Sequence, residues 1–368
     1  MKTICLVLLI TFFSSQVIYG VPGKENVIST SDQSGNYYSA DDNRIQYVGR
    51  FDFSDPENPK TSYPGAYIKF RFTGTYCDLT FMTDTILYLS IEIDGKYAGR
   101  QRYINRTMQT IRIISGLTNT EHDILICRAS DCLNRKLIVN GITCEKLLEP
   151  NPLSKRSIEF IGNSITSGCA MLGEFCKTRE IGAADNTYLS YAPRTARKLD
   201  AEWYVSSIAG IGLIRSCCPH LTTMRDSYDR LYFEDSKSPK WDLSQNIPDV
   251  VTIALGHNDG IKVDGEAFVT EYISFIKLIR ENYPDAYIVI MNTPGGKSKS
   301  FIETQRSWFA KAVEYFNKKG DDKVVKFDLI YGLAGNLNNG CGGHPSEAEH
   351  EIIANDLATF IKTLTGWQ

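Results

Sequence analysis

One serine follows an apolar run of the sequence in a way that could place it at the edge of a sheet. Ser164 lies in the segment Gly162-Asn163-Ser164-Ile165-Thr166. A serine at the end of a buried strand, beside a glycine, can expose its hydroxyl for nucleophilic attack and point its own N–H at an oxyanion. The segment is not the G-x-S-x-G elbow, because Thr166 stands two residues after Ser164. On these five residues alone, an N-capping serine in a strand-to-helix turn is the favoured interpretation.

Two further segments could supply donors to an oxyanion. In Ala209-Gly210-Ile211-Gly212, a glycine lets the backbone approach a ligand and offer the N–H of Gly210, although an ordinary tight turn has the same pattern. In Gly256-His257-Asn258-Asp259, the side-chain amide of Asn258 is a neutral donor suited to developing negative charge. The commoner role of an Asn-Asp pair is an Asx turn or a helix cap.

A general base could come from the glycine-rich segment 340–346, Gly-Cys-Gly-Gly-His-Pro-Ser, just before the last predicted helix. Such a loop could hold the imidazole of His344 exposed and close to a nucleophile, and an ordinary surface histidine is the alternative. Each segment is a weak signal alone. Together they supply a nucleophile, three oxyanion donors (the N–H groups of Ser164 and Gly210 and the Asn258 amide) and a base.

The pattern of elements after residue 150 could bring these segments together. Apolar strands alternate with amphipathic helices, which is typical of an open parallel sheet in a three-layer α/β domain. The predicted strands are 157–161, 249–255, 286–291 and 324–329, and the predicted helices are 186–199, 268–280, 301–317 and 347–364. Functional groups of such sheets gather at the carboxyl ends of the strands, so the four segments are expected at one edge.

The chain before residue 150 has a different pattern. Short alternating runs, rich in β-branched and aromatic residues and separated by Gly, Asp and Asn turns, predict a β-sandwich. The paired prolines Pro150 and Pro152 break both patterns and mark a boundary. We therefore predict a signal peptide over 1–20, a β-sandwich domain over 21–150 and an α/β domain over 151–368.

The first twenty residues have the layout of a secretory signal peptide. Lys2 is followed by an apolar run over 4–13 and then by small and polar residues up to Gly20, although a buried N-terminal helix is an alternative. No second run reaches transmembrane length, so the mature protein is expected to be secreted and free of the membrane. A net charge of -3 without a Lys/Arg run excludes a typical nucleic-acid binder.

Ten cysteines agree with an oxidising destination. Cys5 would leave with the signal peptide, and the nine that remain are an odd number, so at least one is expected to be free or paired with another chain. The sequence leaves the connectivity open. Plausible pairs are Cys127 with Cys132, Cys169 with Cys176, and Cys217 or Cys218 with Cys341. Asn105-Arg106-Thr107 is an N-glycosylation sequon, which predicts a glycosylated surface loop at Asn105.

The ordered set GNSIT, AGIG, GHND and GGHP resembles the four blocks of the SGNH (GDSL-like) hydrolases. The resemblance extends to carbohydrate esterase family 2, the acetylxylan-esterase-like enzymes, in which a small jelly-roll sandwich precedes an SGNH domain. It covers about residues 40–368 and is strongest from 157 to 350. The connecting stretches that are similar to that family are Tyr188-Leu189-Ser190-Tyr191, Tyr228-Asp229-Arg230, Trp241-Asp242-Leu243-Ser244 and Pro248-Asp249-Val250-Val251.

This resemblance implies a secreted serine esterase that removes O-acetyl groups from plant cell-wall polysaccharides such as xylan or glucomannan. It implies Ser164 as nucleophile, His344 as base, and an oxyanion hole made by Ser164, Gly210 and Asn258. It also implies an acetyl-enzyme intermediate, a monomer whose partner is the acetylated polysaccharide or oligosaccharide, and no metal or organic cofactor.

Two positions depart from the family pattern. The aspartate expected two residues before the histidine is replaced by Gly342, so we expect a Ser-His dyad whose imidazole is held by a backbone carbonyl or a distant acid. Relatives carry a threonine at the position of His257 and an aromatic residue at the position of Gly260, so the sugar preference is expected to differ.

Two other functions are compatible with the motifs. An SGNH lipase or esterase acting on other esters would need a large apolar acyl groove or an interfacial helix. The sequence predicts no exposed apolar helix that would indicate either. A sugar-binding protein with an inactive hydrolase domain would explain the missing aspartate. The intact set Ser164, Gly210, Asn258 and His344 argues against it. The sandwich itself could bind polysaccharide, but packing on the catalytic domain is the favoured role.

Overall fold

The computed structural model describes residues 35–131, 135–218, 222–233, 235–292, 298–329 and 337–368. The predicted signal peptide and Cys132 lie outside these residues. Within the described ranges, no helix has both the length and the apolar character needed to cross a bilayer.

Antiparallel strands fill the first part of the described chain. In chain order they are β1 (Asn36–Ser39), β2 (Gln46–Val48), β3 (Lys60–Thr61), β4 (Tyr67–Gly74), β5 (Cys77–Thr83), β6 (Leu87–Ile93), β7 (Lys96–Tyr103), β8 (Gln109–Ile114), β9 (Thr120–Arg128), β10 (Leu137–Cys144) and β11 (Lys146–Leu148). One sheet has the order β1-β10-β5-β8, with β3 also paired to β10. The other has the order β11-β4-β9-β6-β7, with β2 also paired to β4. Their inner faces share one apolar core, which confirms the predicted β-sandwich.

Alternation of side chains explains why these segments form strands. In β4, Phe70 and Phe72 are buried, whereas Lys69 and Arg71, which alternate with them, are partly exposed. Such alternation buries one face of the sheet and leaves the other to solvent. Strand β7 was not expected from the sequence, because its residues KYAGRQRY are mostly polar and it lies at a sheet edge, paired only with β6 among the described strands.

A parallel sheet follows. Its strands are β12 (Ser157–Gly162), β13 (Glu202–Ser207), β14 (Val250–Ile253), β15 (Tyr287–Met291) and β16 (Val324–Phe327), in the order β13-β12-β14-β15-β16. The helices are α1 (Tyr191–Lys198), α2 (Met224–Ser227), α3 (Gly265–Asn282), α4 (Lys299–Asn317) and α5 (Glu347–Thr365). Apolar residues of α1 and α5 share one buried cluster, and those of α3 and α4 share another. This is the predicted three-layer α/β arrangement.

The sandwich packs against the α/β part through a buried interface. Arg50, only 5% exposed, forms an ion pair with Glu159 of β12 at 3.4 Å. Its guanidinium also donates to the carbonyl of Arg230 at 3.1 Å and lies over the ring of Trp241. The indole N–H of Trp203 in turn donates to the carbonyl of Gly65 at 2.9 Å. The sandwich is therefore joined to the α/β part by buried polar contacts as well as by apolar packing.

The structure corrects the prediction for the sequon. The backbone N–H of Asn105 donates to Thr83 Oγ1 at 3.0 Å, and its carbonyl accepts from the N–H of Thr83 at 2.7 Å. The side chain is only 5% exposed, and its Nδ2 atom, which would carry a glycan, is buried. The expectation of an exposed Asn105 is therefore wrong, because Thr83 holds the segment against the sandwich. Glycosylation itself stays a prediction.

Candidate active site

The turn after β12 presents Ser164. Asn163, fully buried, accepts the N–H of Ile165 on Oδ1 at 3.1 Å and donates from Nδ2 to the carbonyl of Ala254 at 3.4 Å. These bonds tie the turn to the end of β14. Residues 163–170 form turns and not an α-helix, and the hydroxyl of Ser164 contacts a histidine instead of a backbone N–H. The N-cap interpretation of Ser164 is therefore wrong.

Close packing explains the glycine at the end of β12. A Cβ atom on Gly162 would lie 2.0 Å from Thr166 Oγ1, so a side chain there would push the turn aside. Thr166 Oγ1 is itself hydrogen-bonded to the hydroxyl of Tyr191 at 2.8 Å, and Ser167 Oγ to Ser207 Oγ at 2.7 Å. The serine turn thus rests on buried hydroxyl pairs whose partners belong to α1 and β13.

His344 completes a dyad with Ser164. Its Nε2 atom lies 2.9 Å from Ser164 Oγ, and its Nδ1 atom lies 3.1 Å from the carbonyl oxygen of Cys341. A carbonyl can only accept, so Nδ1 carries the proton and Nε2 is free to accept one from the serine. Burial lowers the pKa of His344, and the hydrogen bond to Cys341 opposes this shift only in part. The imidazole is therefore neutral near pH 7, as a base must be.

A disulfide anchors the residue that orients the histidine. Cys341 is bonded to Cys176, and its N–H donates to the carbonyl of Ala170 at 2.7 Å. The predicted pairing of Cys169 with Cys176, and that of Cys341 with Cys217 or Cys218, are therefore wrong. The prediction for Cys176 relied on closeness in sequence. In the structure, Cys176 follows a short helical turn at Gly173–Phe175 and bonds to Cys341, which lies 165 positions later.

The start of α5 fixes the other side of the histidine. Ser346 caps the helix, and the carboxylate of Glu349 accepts the N–H of Ser346 at 2.7 Å in a capping box. The same carboxylate accepts the N–H groups of Asn338 at 3.2 Å and Asn339 at 2.9 Å. One buried side chain of α5 therefore holds the segments before and after His344.

The predicted oxyanion donors follow strands that adjoin β12 on either side. Gly210, which follows β13, has a φ of +82°, a value that favours glycine. Asn258, which follows β14, donates one amide hydrogen to the carbonyl of Ile211 at 2.8 Å, which leaves its second hydrogen for a ligand. In the described part of the chain, the N–H groups of Ser164 and Gly210 have no protein acceptor. Neighbouring strands are about 4.8 Å apart, so all three donors lie at one edge of the sheet.

Three carboxylates support these turns without having been singled out from the sequence. Asp259, fully buried, accepts the N–H groups of Leu213, Ile214 and Arg215 at 2.8 to 3.0 Å. Asp131 accepts the N–H of Ala209, and Asp185 accepts that of Ala170. Burial raises the pKa of Asp185 to about 6. Asp259 could have been found from the sequence, because it belongs to the segment Gly256-His257-Asn258-Asp259. Nothing in the sequence connects Asp131, which follows β9, with an active site.

The described residues contain no cluster of three or more His, Cys, Asp or Glu side chains that could hold a metal ion. What the site does offer is a polarised serine hydroxyl, a neutral imidazole in contact with it, and unpaired donors nearby. This set can carry out acyl transfer from an ester.

Two family models match the chain. One, described as "Carbohydrate esterase 2 N-terminal", matches residues 47–152, and the other, "GDSL-like Lipase/Acylhydrolase family", matches residues 160–352. The second match contains Ser164, Gly210, Asn258 and His344.

Several known proteins are similar to this chain along most of its length. The Cellulase/esterase CelE of Acetivibrio thermocellus is 33% identical over 332 residues, which are 88% of this chain but only 40% of that protein. An acetylxylan esterase / glucomannan deacetylase of Cellvibrio japonicus is 23% identical over 89% of this chain and 91% of its own length. A family two carbohydrate esterase from Clostridium thermocellum, solved with cellohexaose, superposes with a TM-score of 0.81 at 31% identity, over 88% of this chain and all of that one.

Proposed function

The chain belongs to carbohydrate esterase family 2, and on this premise we propose that it removes O-acetyl groups from plant cell-wall polysaccharides through an acetyl-enzyme on Ser164. The observation that carries the proposal is the pair of contacts on His344. Nε2 lies 2.9 Å from Ser164 Oγ while Nδ1 is held by a carbonyl. An imidazole fixed in this tautomer can take the serine proton during attack.

The reaction follows from this geometry. Ser164 Oγ attacks the acetyl carbonyl as its proton passes to Nε2 of His344, and the negative charge forms on the carbonyl oxygen. The N–H groups of Ser164 and Gly210 and the amide of Asn258 bind that oxygen. His344 then gives its proton to the departing sugar alkoxide. Water enters, is deprotonated by the same imidazole, and releases acetate from the serine.

The missing aspartate does not remove the base from this scheme. The imidazolium that forms during attack donates from Nδ1 to the carbonyl of Cys341 at 3.1 Å. A carbonyl dipole stabilises this charge less than a carboxylate does, but its hydrogen bond still sets the tautomer and the orientation of the ring. We therefore assign the positioning role to the Cys341 carbonyl and not to a distant acid.

Acetylated xylan or glucomannan is the proposed substrate. The name of the Cellvibrio japonicus relative joins these two activities, and a relative of similar fold was solved with cellohexaose, a β-linked glucan. Gly260 has a φ of +77°, and a Cβ atom at this position would meet only the guanidinium of Arg215, at 3.5 Å. Export from the cell is part of the proposal and rests on residues 1–20 of the sequence.

The proposal is tested by replacing the nucleophile. Ser164→Ala should lower release of acetate from acetylated xylan, acetylated glucomannan and 4-nitrophenyl acetate by at least about 10,000-fold. Ser244→Ala, at an exposed serine outside the site, serves as the matched control and should leave the rates unchanged. Wild-type rates in Ser164→Ala would refute the assignment. A preference of the wild-type enzyme for long-chain esters over acetate would refute the substrate class.

A further inference from the structure

We propose that Asp131, which follows strand β9 of the sandwich, is a positioning residue for the oxyanion hole of the α/β part. The proposal rests on the proposed esterase function. It would make the sandwich a contributor to catalysis and not only a packing partner.

Asp131 reaches the oxyanion turn directly. It follows β9, and its side chain is buried, with 8% of the residue exposed. Its Oδ2 atom accepts the backbone N–H of Ala209 at 2.5 Å. Ala209 directly precedes Gly210, whose carbonyl accepts the N–H of Cys217 at 2.8 Å. The peptide that carries the Gly210 N–H therefore lies between two fixed hydrogen bonds, one of which comes from the sandwich.

The same carboxylate also contacts the serine turn. Oδ2 of Asp131 lies 3.5 Å from Cys169 Sγ. Burial raises the pKa of the Asp131 carboxyl group, and the charge of Arg128 and hydrogen bonds from Ala209, Ser167 and Cys169 oppose this shift only in part. The N–H of Cys169 donates to the carbonyl of Ser164 at 2.8 Å. One carboxylate thus spans the two turns that present the backbone donors, and it can fix the distance between them.

The burial of Asp131 explains why its removal should disturb the oxyanion turn. A buried acceptor that is removed leaves its donor unpaired, and the donor must then move or stay unsatisfied. The Ala209 N–H has no other acceptor in the described residues. Without Asp131, the turn is free to swing, and the Gly210 N–H loses the orientation that the transition state needs.

The test is Asp131→Ala, assayed with 4-nitrophenyl acetate. We expect kcat to fall by about 100-fold, as when one oxyanion donor is lost, while KM changes by less than about threefold. Methylboronic acid forms a tetrahedral adduct with the serine whose oxygen occupies the oxyanion hole. Its inhibition constant should weaken by the same factor as kcat. A loss of general stability would not produce this parallel.

Asp78→Ala is the matched control. Asp78 is an equally buried carboxylate of the sandwich, but it lies in β5 of the other sheet and pairs with Arg112. It should match Asp131→Ala in thermal destabilisation and keep wild-type kcat and boronate affinity. Wild-type kcat in folded Asp131→Ala, or a lowered kcat with unchanged boronate affinity, would overturn the proposal.

If Asp131→Ala does not fold, Asp131→Asn keeps the shape and one acceptor oxygen. Its kcat and boronate affinity should then fall together, by about tenfold. A fall in kcat alone, or no fall in either, overturns the positioning role. The failure of the proposed function is a different result, because it appears as absent acetate release by the wild-type enzyme.

Discussion

Two loops meet at the hydrogen bond between Ser164 and His344, and they are held in different ways. The serine loop, residues 163–170, is anchored by buried side chains, since Asn163, Thr166 and Ser167 are all fully buried. The histidine loop, residues 337–346, has two exposed glycines with left-handed φ values, Gly342 at +59° and Gly343 at +79°. It is fastened by one disulfide, by the N–H of Cys341 and by the carboxylate of Glu349.

The difference shows two routes to a precise geometry. The serine loop is positioned by the interior, where packing is dense and alternatives are excluded. The histidine loop lies at the surface and depends on a few discrete bonds. Removing one such bond should therefore disturb the position of His344, even though the loop lies at the surface.

The largest effect should come from removing the histidine itself. His344→Ala should lower kcat for 4-nitrophenyl acetate by at least about 10,000-fold, because the serine hydroxyl then has no base. The double variant with Ser164→Ala should be no slower than either single variant, since the two residues act as a unit. Residual rates that differ strongly between the single variants would show that one loop works without the other.

Removing the disulfide should have the next largest effect. Cys176→Ser frees the residue whose carbonyl orients His344, so we expect kcat to fall about 10-fold to 100-fold. The free energy of unfolding should fall by about 2–5 kcal/mol, since the bond closes a long loop of the chain. Steady-state kinetics and thermal unfolding measure the two. Cys217→Ser, at an exposed cysteine outside the disulfide, is the control, and equal behaviour of the two variants would contradict the anchoring role.

The acid limb of the pH dependence should report the protonation of His344 in the histidine loop. Burial lowers the pKa of His344, and the base works only when neutral, so activity should be lost as the pH falls through this lowered pKa. The acid limb of kcat/KM is therefore expected below the ordinary histidine value of about 6.5, with about tenfold loss per pH unit. A limb above that value would contradict the expected effect of burial.

Two glycines should show the smallest and most direct contrast between the loops. Gly162→Ala in β12 forces Thr166 away and should cost about 1–3 kcal/mol of stability and about tenfold in kcat. Gly342→Ala has open space around the new methyl group and should cost only about 1 kcal/mol of backbone strain, with kcat within about threefold. Chemical denaturation and initial rates compare them, and the reverse order would invalidate the contrast.

Sequence patterns were sufficient wherever a single segment determines the outcome. The buried runs of β12 and β14 and the periodic helices α3 to α5 are visible locally, and the four motif segments follow from them. The pairing of Cys176 with Cys341 was not predictable, because it depends on where two distant loops meet. The contact of Asp131 with Ala209 joins two halves of the chain and leaves no local pattern. The burial of Asn105 depends on its tertiary contact with Thr83.

The ion pair between Arg50 and Glu159 has a consequence for how such a chain can change over generations. Glu159 lies in β12 of the α/β part, and its cation comes from the sandwich. A gene that kept only the second half would leave this carboxylate with the hydroxyls of Ser206 and Tyr228 but without its cation, and breaking a buried pair costs about 3–5 kcal/mol. Recombination that exchanged the sandwich alone would therefore have to supply another cation in the place of Arg50.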